Sequence, residues 1–137
     1  MSKKSKKIVK SSGIIGNYNL QAIILDVELV NLDPDDSRKV LVEVFNWSDQ
    51  IPVALSVLSI NGPNNIIGDG GPIEIEPNTV CGFIVRLLDN QAFGYEIRIT
   101  FFDTTEDVVA SSHGLRNFEN VVGQTLRHED FKVVELD

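Results

Sequence analysis

The sequence predicts an all-β fold, a single antiparallel β-sandwich of jelly-roll or immunoglobulin-like type with about eight strands, and three observations carry that prediction. Apolar and polar residues alternate with a period of two in several short runs, as half-buried strands require. The runs recur at intervals of roughly ten residues, the spacing of sandwiches rather than of βαβ units. All five prolines fall at turns or strand ends on this reading, where a missing N–H does not interrupt a ladder.

Taken in order, residues 1–19 read as a flexible basic arm, rich in Lys and Ser, ahead of a sandwich domain over residues 20–137. Residues 20–30 form the first strand, with Leu25, Val27 and Leu29 inward and Asp26 and Glu28 outward. A turn through Asp33, Pro34, Asp35 and Asp36 ends it. Residues 40–47 follow, apolar on both faces and therefore central: Val40, Val42 and Val44 on one side, Leu41, Phe45 and Trp47 on the other. Residues 53–60 read as one strand, closed by a break over residues 61–65, and Gly68, Asp69, Gly70 and Gly71 as a flexible turn.

The plainest stretch is residues 72–102. Ile73 and Ile75 make a short apolar face between Pro72 and Pro77; Cys81, Phe83, Val85 and Leu87 make a second. Tyr95, Ile97, Ile99 and Phe101 make a third, with Glu96, Arg98 and Thr100 on the opposite, wet face. A turn over residues 103–107, a strand over 108–110 and a last strand over 131–136 complete the chain, and residues 117–124 show no clear period.

At 137 residues one domain fits, large enough to bury roughly two thirds of its unfolded surface. Five of the 12 basic residues, Lys3, Lys4, Lys6, Lys7 and Lys10, lie in the first ten positions. That leaves seven against 20 acids over the rest, a body near −13 within a chain of −8. An acidic body with scattered basic residues does not suit nucleic acid, which needs a basic face. The single Cys81 cannot form an internal disulfide and reads as a small core residue. No apolar run of export-signal length follows the lysines, and none approaches a membrane span, so synthesis as a soluble cytoplasmic chain is expected.

No chemistry is predicted. Gly68–Gly71 lacks the Gly-Lys-Ser/Thr and the helix that a phosphate cradle needs. Asp33, Asp35 and Asp36, or Asp103, Glu106 and Asp107, could offer oxygens to calcium, but neither group matches a calcium loop, and solvated turn acids are the better reading. Two histidines, His113 and His128, do not make a histidine-rich metal site. Ser111, Ser112 and His113 beside Asp103 supply no nucleophile elbow. Trp47, Tyr95 and Phe102 read as packing residues rather than as a platform for sugar. The chain is therefore expected to be no enzyme, with no cofactor, metal or small-molecule substrate.

Two functions remain. The first is a self-assembling structural subunit of fibre or surface-layer type, a homo-oligomer whose N-terminal arm docks as a strand on a neighbouring sandwich through Ile8, Val9, Ile14 and Ile15. The second is a non-catalytic module that binds carbohydrate or protein through its loops. A small sandwich with an N-terminal arm, and a run over residues 72–102 in which Glu76-Pro77-Asn78-Thr79 separates two strands, resembles the jelly-roll subunits of bacterial endospore appendages and coats. That resemblance, over residues 20–115, implies a non-enzymatic subunit joined by arm insertion and placed at the spore or cell surface after assembly. The best-known such subunits carry arm cysteines for intersubunit disulfides; this arm has none.

Overall fold

The computed structural model describes residues 6–61, 66–103 and 107–136. Their strands are β1 (Lys7–Gly16), β2 (Ile24–Asn31), β3 (Arg38–Asn46), β4 (Val53–Ala54), β5 (Leu58–Ile60), β6 (Ile66–Gly68), β7 (Ile73–Ile75), β8 (Thr79–Arg86), β9 (Gly94–Phe102), β10 (Val108–Arg116), β11 (Glu119–Leu126) and β12 (Lys132–Leu136). Sheet A runs β12-β1-β9-β3-β4 with β7 also on β3, and sheet B runs β11-β10-β2-β8-β5-β6. The pairings are antiparallel throughout. The fold is an all-β antiparallel sandwich.

The count of strands exceeds the expected eight, for physical reasons that differ from place to place. Residues 7–16, inside the segment read as an arm, form the longest described strand and lie between β9 and β12. Residues 53–60 are not one strand: β4 pairs with β3 in sheet A and β5 with β8 in sheet B, so the chain changes sheets between them. Residues 119–126 pair with β10 as β11, but four residues, 121–124, stand opposite the single Gly114. This bulge breaks the period of two. Of the break expected over 61–65 and the turn expected over 103–107, residues 62–65 and 104–106 lie outside the described residues.

The core is the meeting of the two inner faces. Val40, Val42 and Val44 of β3 and Tyr95, Ile97, Ile99 and Phe101 of β9 face Leu25, Val27 and Leu29 of β2 and Cys81, Phe83 and Val85 of β8, all of them buried. Each large aliphatic or aromatic side chain removed from water here contributes about 1.5–3 kcal/mol, against the cost of ordering the chain. Tyr95 carries its phenol into this core, where burial pushes it well above its usual pKa.

The expected wet face of β9 is only partly wet, with Arg98 half-exposed. Glu96 and Thr100 are buried on the outer side of sheet A, beneath side chains from β1, β3 and the Trp47 turn. Elsewhere on that side charges are interspersed: Lys7 and Lys39 flank the Phe102 ring at 5.9 and 5.1 Å, and the Arg98 guanidinium lies 5.3 Å from the Phe45 ring.

The β11 bulge is required by packing. Gly123 takes a φ of +83°, which glycine adopts without strain, and the loop turns the Gln124 side chain inward over Gly114. A Cβ on Gly114 would lie 2.5 Å from Gln124 Oε1 and 3.1 Å from Ala22 Cβ. Gly114→Ala is expected to cost about 2–3 kcal/mol in urea denaturation by overpacking. Gly16→Ala, where the same atom meets open space, should change stability by under about 1 kcal/mol.

Candidate interaction surface

The four arm residues do not act as one apolar face. Ile8 pairs with Phe101 and Ile15 with Tyr95, so these two turn toward the core; Val9 pairs with Thr100 and Ile14 with Glu96, so these turn outward. A register shift between Ser11 and Ile14, with Gly13 at a φ of +71°, separates the halves. Val9 and Ile15 are buried, Ile8 is half-buried and Ile14 is 63% exposed.

Three polar clusters hold the frame. Asn17, wholly buried, donates from Nδ2 to the carbonyls of Ala22 and Ala92 and accepts at Oδ1 from the Ala22 N–H and Gln124 Nε2, at 2.9–3.1 Å. Tyr95 donates to Gln124 Oε1 at 2.7 Å. At the opposite end, Asn31 Nδ2 donates to the Asp36 and Ile75 carbonyls, while Asp33 accepts the Asp35 and Asp36 N–H groups. Arg38 bridges Asp33 and Asp107, so the positive charge between those acids is a guanidinium. Of the second acidic group, Glu106 lies outside the described residues. No group of three or more potential metal ligands occurs among the described residues.

Glu96 is the third cluster. Burial raises its pKa, but hydrogen bonds from Arg98 Nε, Ser11 Oγ and Trp47 Nε1 outweigh burial and hold it below the usual glutamate value. Trp47 is thereby laid on the sheet, Tyr95 points inside and Phe102 sits between lysines, so the three aromatics share no platform. Ser112 points inward while Ser111 and His113 point outward, and no hydrogen bond joins them among the described residues. Gly70 accepts from the Val42 N–H at 2.8 Å on the edge of β3, and a strand, not a helix, follows it.

What the sequence reading missed is the outer face of sheet B. Register places Leu115, Ile24 and Arg86 in one row across β10, β2 and β8, and His113, Asp26, Ile84 and Leu58 in the next, reaching β5. Ser111, Glu28, Gly82 and Ile60 form a third row, and Val109, Val30 and Val80 a fourth. Eight of these fourteen side chains are aliphatic, on a face open to water. Burial among them, then the neighbouring Glu28, push the Asp26 carboxyl above its ordinary pKa, with His113 opposing.

Two hollows flank the ridge made by Ile24 and Ile84. One, of about 420 Å³, is bounded by Leu58, Arg86 and Asn90; the other, of about 430 Å³, by Asp26, Leu115 and Phe118. Phe118 stands at the rim wholly exposed. It and Asn117 form a two-residue hairpin turn with φ of +66° and +53°, a geometry that favours Asn-Gly. A bulky residue at the second position stores strain. No helix among the described residues is long and apolar enough to cross a membrane.

Because the Glu96 pKa is depressed in the fold, its contribution to stability is present above the ordinary glutamate value of 4.5 and is lost as pH falls through the lower folded value. Denaturation of the wild type should therefore show stability declining below about pH 4.5. Glu96→Gln should lower stability at pH 7 and flatten that acid limb. An unchanged limb would mean that Glu96 is not held as the ionised partner of Arg98.

No protein-family model, no curated protein and no solved structure matches this chain.

Proposed function

We propose that the chain is a non-catalytic structural subunit that assembles with copies of itself by exchanging the first half of β1. The observation that supports this most is how β1 is held. It lies between β9 and β12 by backbone ladders on both sides over residues 8–11, and of its side chains only Ile15 joins the continuous core. Residues 7–11 could therefore leave without opening the core, and a neighbour's identical residues would remake the same ladders. The bulge at Ser12 and Gly13 supplies a hinge, since Gly13 already occupies positive φ with open space around it.

Exchange is head-to-tail: each copy gives a strand and receives one. Unless the rotation closes a ring, such contacts grow into fibres or layers. A fibre or surface layer is what this reading implies, in the spore- or cell-surface setting suggested by the sequence resemblance. A protein-binding module is the second reading, favoured by the apolar outer face of sheet B.

The test is a cysteine pair across the β1–β9 ladder. Val9 and Thr100 are register partners, and antiparallel partners lie about 4.5–5.5 Å apart at Cα, within disulfide range. Cys81 is buried and should not compete. Oxidised at high protein concentration, Val9→Cys/Thr100→Cys should give a ladder of covalent oligomers on a denaturing gel, absent from Val9→Cys alone beyond dimer. Cross-linked monomer alone at every concentration would overturn exchange of β1.

A further inference from the structure

We infer that the outer face of sheet B is a two-fold docking surface for a second copy of this chain, in which Phe118 of each copy enters the hollow beside Ile24, Leu58 and Ile84 of the other. This rests on the self-assembly reading but uses a surface separate from β1.

The first support is self-complementarity. One face carries both a projecting apolar side chain and a hollow walled by Ile24, Leu58 and Ile84 on one side and by the Arg86–Asp89 pair and Asn90 on the other, and both lie at the same end of the strands: Phe118 follows the end of β10, and the 420 Å³ hollow opens around the start of β2 and the end of β8. A two-fold axis parallel to β2 keeps ends together and exchanges left with right, so it carries Phe118 toward the partner's hollow, and the partner's toward this one. That is the condition for an isologous contact.

Charge is the second support. The chain's excess acid sits mainly in loops and turns: Asp33, Asp35 and Asp36 after β2, Asp49 after β3, Asp89 after β8, Asp103 after β9, and Glu129 and Asp130 before β12. Approach of another copy end-on brings like charges together, whereas the rows of the sheet B face hold two acids, Asp26 and Glu28, with Arg86 and His113 among them, and the one loop acid at the hollow, Asp89, is paired with Arg86 at 3.2 Å.

Area is the third. Three strands about 4.8 Å apart over seven residues of about 3.4 Å each, with the three residues of β5 beside them, present roughly 390 Å². A phenyl side chain adds about 150–200 Å². The pair then buries on the order of 1,100–1,200 Å² in total, the size of a weak, transient contact at the lower edge of what specific interfaces bury. Micromolar dimerisation is the affinity that such an interface supports, on the order of 1–100 μM. The strain at Phe118 also finds a reason: Gly would suit the turn better, but it would leave the partner's hollow empty.

The experiment isolates this contact from strand exchange. The full chain carrying Val9→Cys/Thr100→Cys is oxidised at low concentration, so that β1 is fastened to its own β9, and is then examined by sedimentation velocity over about 1–300 μM, spanning the expected affinity. A reversible dimer is expected. Phe118→Gly in the same stapled chain should weaken it at least tenfold while leaving the melting temperature unchanged or raised, since Asn-Gly is the favoured pair for this turn. Ile84→Asp should abolish it. A stapled chain that stays monomeric throughout would overturn the proposal, whatever the fate of β1 exchange, and leave the face to a partner of another kind. A dimer indifferent to both substitutions would overturn it too.

Discussion

The buried amide of Asn17 decides how the two sheets are joined. At this point the chain leaves β1 in sheet A and must reach β2 in sheet B, and a crossing of that kind exposes backbone groups to the core. Asn17 answers for them. Its side chain pairs with both the N–H and the C=O of Ala22 on the way into sheet B, and with the Ala92 carbonyl on the way into β9, while its own N–H reaches the Phe93 carbonyl at 2.7 Å. Gln124, turned in by the β11 bulge, closes the circuit and holds the Tyr95 phenol. Three other segments of chain, at Ala22, Ala92–Phe93 and Gln124, thus converge on one residue with zero exposure. An unpaired buried group costs about 1–3 kcal/mol, so the loss of this amide would strand several such groups together. The same anchoring limits what β1 can do: residues from Gly16 onward are fastened, and any exchange must hinge ahead of them, at Gly13.

The two outer faces of the sandwich solve the problem of meeting water differently. Sheet A covers its outer surface with interspersed lysine, arginine, glutamate and aromatic side chains, and even buries Glu96 by giving it three donors. Sheet B leaves Ile24 and Leu58 exposed, with Ile84 and Ile60 half-buried beside them. A carboxylate in such a place is disfavoured, and Asp26 accordingly resists ionisation. In a chain of net charge −8 whose acids crowd the loops, a weakly charged apolar face is where another copy meets the least repulsion.

The parts of this arrangement visible in the sequence are those where alternation and burial coincide. Tyr95, Ile97, Ile99 and Phe101, like Leu25, Val27 and Leu29, alternate with polar residues and do line the core. Residues 7–16 alternate too, but Lys7, Lys10, Ser11 and Ser12 dilute the pattern, because a strand near the rim can leave Lys7 exposed and Lys10 and Ser12 half-buried while Ser11 is buried against Glu96. The period fails over 119–126, where a bulge places Val121 and Gln124 inward three residues apart. Glu96 shows the converse: its period is right and its environment is not, since burial came from Trp47 and Ser11, which are 49 and 85 residues away in sequence. The outer face of sheet B lies further still from view. Ile24, Ile84 and Leu58 stand on three strands, and only the register that pairs Ile84 with both Asp26 and Leu58 turns separate apolar residues into a surface.

An extended assembly from one kind of chain needs contacts of more than one symmetry. A two-fold contact is used up when two copies meet, and by itself it stops at a pair. Strand exchange is directional, and where its rotation closes no ring it yields by itself a single thread whose every joint is one strand wide. In the proposed assembly the two operate on surfaces that do not overlap: β1 lies in sheet A beside β12, and the apolar rows lie on the far side of the sandwich in sheet B. A subunit engaged through β1 still presents its sheet B face, so pairing would join threads side by side. A face too small to hold two free copies firmly then acts many times along one thread, and the summed weak contacts can fix a structure that no single one would hold.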